Sequence, residues 1–72
     1  MNDNFPIITT HGNFEIYIED FQKILEFCPD MIITSSSEYK ITVQGENLII
    51  EYVNSDDLKI IGKISNLKIE KI

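Results

Sequence analysis

The sequence predicts a small all-β domain, an antiparallel meander or sandwich of about six to eight short strands joined by glycine and polar turns. Three observations predict it. Apolar side chains recur at every second position, as in Ile16 and Ile18, Ile41 and Val43, Leu58 and Ile60, and Leu67 and Ile69. Such alternation turns one strand face to a core and the other to water. Turn-forming residues separate these runs, at Gly12-Asn13, Pro29-Asp30, Gly45, 54–57 and Gly62. Alanine, the best helix former, is missing, while isoleucine, a strand former, is abundant.

Residues 1–4 are polar and are expected to form a frayed tail ahead of one domain over 5–72. A short β-branched run follows Pro6, and Gly12 with Asn13 makes a turn. Phe14, Ile16 and Ile18 then alternate with Glu15, Tyr17 and Glu19 as a half-buried strand. Residues 20–28 fit two periods. Phe21, Ile24, Leu25 and Cys28 suit a helix capped by Asp20, whereas Phe21, Leu25 and Phe27 suit a strand, the reading favoured by the neighbouring strands. Pro29 and Asp30 make a turn before a strand over 31–34. The serines 35–37 form another, since Ser hydroxyls compete for backbone hydrogen bonds. Further strands are expected over 38–43 and 48–53, with a hairpin turn at 45–47. The polar turn 54–57 leads to a strand over 58–61, a bulge or bend at Gly62, and a last strand or pair of strands over 64–69. Gly12, Pro29, Gly45 and Gly62 lie about 17 residues apart, near twice the strand spacing of sandwiches and barrels. That spacing fits an internal hairpin repeat or a plain meander.

With 72 residues the chain makes one domain of marginal burial. The doublets Ile7-Ile8, Ile32-Ile33, Ile49-Ile50 and Ile60-Ile61 put apolar side chains on both faces of their strands. Either two sheets pack with curled edges or a second copy covers an outer face, and in so small a chain the homodimer is the favoured reading. Tyr17, Ile32, Ile49, Tyr52 and Ile61 are the candidate interface residues.

The net charge is −6, with twelve Asp and Glu against six lysines and no arginine. Nucleic-acid binding needs a basic stripe, so this balance argues against it, and against direct attraction to an anionic membrane. No signal-peptide pattern and no run of about 20 apolar residues is present. The chain is therefore expected to be soluble and unexported, reaching a membrane only through a partner.

Little in the sequence can do chemistry. His11 is the only histidine and reads as a solvated turn residue. Cys28 lacks a visible base and reads as a small buried hydrophobe. The acidic pairs Glu19-Asp20 and Asp56-Asp57 lack the calcium-loop pattern, and the three glycines are too far apart to cradle a phosphate. No catalytic, cofactor-binding or metal-ligating residue is assigned; a ligand-binding or metal-dependent enzyme is the least supported reading.

Taken in order, the segments Phe5-Pro6-Ile7-Ile8, Ile16-Tyr17-Ile18-Glu19-Asp20-Phe21, Gln44-Gly45-Glu46-Asn47-Leu48 and Ile61-Gly62-Lys63-Ile64 carry a resemblance. The chain resembles the YabP/YqfC family of sporulation proteins, with the YqfC branch nearer. One departure is Ser35–Glu38, where the family often has a glycine turn. The resemblance implies a non-enzymatic β protein of the mother cell of an endospore-forming Firmicute, acting in the formation of the spore envelope (cortex and coat). It further implies a soluble adaptor, held peripherally at the forespore outer membrane by a membrane protein of the YqfD type. The alternative is a self-assembling structural subunit of the spore outer layers.

Overall fold

The structure is a computed structural model that describes residues 6–72; the expected tail at 1–4 lies outside the described residues. Six strands form: β1 (Ile7–His11), β2 (Glu15–Glu19), β3 (Lys23–Cys28), β4 (Met31–Ser35), β5 (Tyr39–Val53) and β6 (Asp57–Lys71). All neighbours are antiparallel, in one open sheet of order β1-β2-β6-β5-β4-β3. The predicted fold class is therefore the observed one.

The residues 20–28 resolve as a strand, entered at Lys23. Asp20 takes φ 68° and turns the chain out of β2. Phe21 then drops into the core, its N–H bonded to Asp56 O at 3.1 Å.

Two expectations are corrected. Gly45 to Asn47 is not a hairpin turn but a bend inside the 15-residue β5. The runs on either side of Gly62 are likewise one strand, β6. The true hairpin turn lies at 54–56, where Asn54 N–H bonds Asp57 O at 2.8 Å.

Because β5 and β6 are long and bent, the sheet has two halves. One half contains β1, β2 and the opposed segments 57–61 of β6 and 49–53 of β5. The other contains β3, β4 and the opposed segments 40–44 of β5 and 66–70 of β6. Register puts Ile16 opposite Ile60 and Ile18 opposite Leu58 in the first half. It puts Ile32 opposite Val43 and Thr34 opposite Ile41 in the second. All of these are at most 1% exposed, and the apolar ones belong to one core cluster with Leu48 and Phe21. The sheet therefore folds over on itself, with its two inner faces in contact.

The fold-over is set where β5 and β6 cross. The pairing shifts at Gln44/Gly45 and again at Glu46/Ile49, as bulges do when they bend a strand. A Cβ on Gly45 would stand 2.0 Å from the Lys63 carbonyl oxygen. A Cβ on Gly62, at φ 142°, would stand 2.7 Å from the Asn47 carbonyl oxygen. Each glycine thus admits the backbone of the other strand. The hairpin turns brace the same points. Gly45 and Leu48 donate N–H bonds to Asp30 O and Pro29 O at 3.1 and 2.8 Å. Gly62 and Ile64 donate to Phe14 O and Asn13 O at 3.2 and 2.7 Å. The four evenly spaced turn signals are two chain reversals and two bends, meeting in pairs.

Gly45→Ala is expected to cost about 3 kcal/mol, at the upper end for overpacking, because backbone rather than a flexible side chain must yield. Urea unfolding followed by circular dichroism checks this; a midpoint like that of the parent would refute it. Thr34 Oγ1 is buried with no hydrogen-bond partner. Thr34→Val keeps the shape and removes the unpaired hydroxyl, so stability should rise by about 1 kcal/mol. The same measurement reads it, and a destabilised variant would mean that the hydroxyl has a partner.

Candidate docking surface

The outer face of the first half is assembled by register. Tyr17 of β2 lies opposite Lys59 of β6, and Lys59 lies opposite Tyr52 of β5. One step along, Glu15 faces Ile61, and Ile61 faces Ile49. Four of the five residues singled out in the sequence, Tyr17, Ile49, Tyr52 and Ile61, therefore share this face. The Tyr17 and Tyr52 rings are 6.2 Å apart at 54°. Ile32 does not join them. It is fully buried between β3 and β5, because the period-two alternation turns Ile33 outward in its place.

Lys59 is the centre of this face, which the sequence reading missed. Its Nζ lies 3.2 Å from Glu51 and 3.4 Å from Glu15. The first contact chiefly, then the second, raises its pKa above the ordinary lysine value. The Tyr17 hydroxyl donates to Asp57 at 2.5 Å. That bond is the main reason the phenol's pKa is pushed well above the usual tyrosine range, with Tyr52 adding a smaller effect. Only cross-strand register brings Lys59 between two carboxylates far from it in sequence.

The free edges add to the face. β4 leaves β5 at Gln44, and the last backbone bond on that side is from Leu48, so 49–53 is an unpaired edge among the described residues. Ile49, Tyr52 and Val53 are 53%, 40% and 51% exposed there. A second apolar edge is β3, where Ile24, Leu25 and Phe27 are exposed and a bulge interrupts the pairing between Ile24 and Glu26. The apolar residues Ile24, Leu25 and Phe27, so close together, are its only signal in the sequence.

Charge divides between the halves. The first carries Glu15, Glu19, Asp20, Glu51, Asp56 and Asp57 against the single Lys59. The rest of the described chain holds five lysines and five carboxylates.

Elsewhere the chemistry is sparse. His11 is exposed, its Nδ1 3.4 Å from Glu15. Cys28 is half-buried, and burial first, then Glu26 and Asp30, pushes its thiol up, away from the nucleophilic thiolate. Among the described residues no group of three or more His, Cys, Asp or Glu could hold a metal ion. A cleft of about 200 Å³ lies between β1 and β6, lined by Thr10, Asn13, Ile64 and Asn66 among others. The side chains of Ser65 and Asn66 beside it already bond Gln44. No helix of the described chain is long and apolar enough to cross a membrane.

Fold and surface define a small all-β domain, an open sheet folded on itself with apolar edges unpaired among the described residues. The chain belongs to the YabP family, whose model matches residues 5–71. No curated protein and no solved structure matches the chain.

Tyr17 and Lys59 both have folded pKa values above their ordinary ones. Each contributes stability that is complete below its unfolded pKa, about 10, and lost as pH rises through the folded value. The melting temperature should therefore hold up to about pH 10 and fall beyond it. In Asp57→Ala, Tyr17 should ionise nearer the ordinary value, read by phenolate absorbance. An unshifted alkaline titration would show that the Tyr17–Asp57 bond does not persist in solution.

Proposed function

We propose that this chain is a non-enzymatic sporulation protein of the mother cell, of the YqfC branch. In this reading it serves in spore envelope formation as a β adaptor for a membrane protein of the YqfD type. It would sit in the mother-cell cytoplasm, peripheral at the forespore outer membrane through that partner. Family membership supports the sporulation setting. The observation that carries the adaptor role is the pair of apolar strand edges, at β3 and 49–53 of β5, that are unpaired among the described residues. Exposed edges offer rows of backbone donors and acceptors to another chain.

A homodimer belongs to the same reading, not at the face of Tyr17, Ile49, Tyr52 and Ile61, where the carboxylates of two copies would repel, but at the β3 edge. There the neutral half meets its own copy without like-charge repulsion. An antiparallel pairing of two β3 strands can set Lys23 against Glu26 of the other copy. The self-assembling structural subunit is the second reading, favoured by the sheet's having two open outer strands, β1 and β3.

The test is affinity purification of a tagged copy from sporulating cells, membrane fraction included, with the mass of the purified chain determined by light scattering. Recovery of one specific membrane protein with a dimer of the chain is the expected result. Recovery of the chain alone in the soluble fraction, as assemblies that grow with concentration, would replace the adaptor by the structural subunit.

A further inference from the structure

We propose that the edge of β5 over 49–53 receives, as an added strand, an extended partner segment that alternates basic and apolar side chains. This rests on the adaptor reading for its biological setting, but the chemistry is read from the edge itself. Among the described residues the backbone there is unpaired, and the two faces of the edge differ. On the inner side Ile50 and Val53 lie opposite Ile60 and Leu58 of the core layer. On the outer side are Ile49, the Tyr52 ring and Glu51, which reaches Lys59. An added strand alternates its side chains across the same two faces. Its inward positions would then extend the apolar layer beside Val53. Its outward positions would lie beside Glu51 and over Tyr52, where a Lys or Arg gains both a carboxylate and a ring face.

Charge selects the occupant. Among the described residues, Glu19, Asp20, Asp56 and Asp57 have no lysine at ion-pair distance, and Lys59 is already held by two glutamates. The half that carries this edge thus bears, among the described residues, a negative field with no lysine to spare. A second copy of the chain would bring the same field and be repelled, whereas a basic segment is attracted and steered. Segments on the cytoplasmic side of a membrane span carry an excess of Lys and Arg, so a membrane partner supplies this chemistry as a matter of course.

The test is a titration of the isotopically labelled chain, followed by amide NMR, with a short synthetic peptide of alternating lysine and valine. A peptide with glutamate at the lysine positions is the control. The expected result is shift changes at 49–53 and 57–59 with the lysine peptide only, shrinking as ionic strength rises from about 0.05 to 0.5 M. Asp56→Lys, in the exposed turn, should weaken binding about threefold, as one surface charge can. Equal binding of both peptides, changes centred on β3, or no changes at all would overturn the proposal. None of these outcomes touches the adaptor reading, which stands or falls on the membrane-fraction capture.

Discussion

The structure depends on one close approach, the crossing of β5 and β6 at Gly45 and Gly62. Two 15-residue strands joined by a tight turn would otherwise form a long ribbon with one wet face and one apolar face. Such a ribbon is marginal in water. At the crossing each strand gives up a side chain so that the other's backbone can come within contact. The ribbon then folds, and its two apolar faces become one core. Among the described residues nine core hydrophobics are buried as a result, each worth about 1.5–3 kcal/mol of transfer energy before entropy is set against it. The same bend presents N–H groups outward at Gly45, Leu48, Gly62 and Ile64, and the two hairpin turns bond to them. Corner, core and turn placement are thus one event.

Much of this is legible in the sequence, but unevenly. The alternation at Ile16/Ile18, Ile41/Val43 and Leu58/Ile60 marks the inner faces correctly, because period-two burial is a local property. The residues at Gly45 and Asn47 mark a departure from a straight strand, and Asn47 does take φ 54°. They do not say whether the chain reverses or merely bends, since a hairpin and a bulge ask for similar local conformations. What decides is the partner strand, here β6, which runs past the bend and pairs on both sides of it. The Ile32-Ile33 doublet shows the same limit. Two adjacent isoleucines say that both faces are apolar, and only register with β3 and β5 says which one is core.

The candidate surface was half legible. Tyr17 and Tyr52 stand out as aromatic positions on strands, and they meet. Lys59 does not stand out, because its partners Glu15 and Glu51 are brought to it by two separate strand pairings. The segregation of charge is hidden for a related reason. Acidic residues are spread from Asp3 to Glu70 along the chain, and the excess becomes one-sided only once β2 is laid beside the start of β6.

Open edges are a hazard for so small a β domain, and the way the β3 and β5 edges are blunted constrains their use. β3 is interrupted by the bulge at Leu25, and the free part of β5 by the one at Glu51. Bulges discourage indiscriminate pairing because they twist the edge away from a flat neighbour. They act alike on every incoming strand, so they cannot choose between partners. Charge can. The β3 edge lies in the neutral half, where its own copy meets no repulsion. The β5 edge lies in the half where carboxylates outnumber lysine six to one. A negative field repels copies of the same acidic chain while drawing in a basic strand, so protection from self-association and selection of a partner come from the same residues. An edge kept open in this way is guarded against itself without being closed to others.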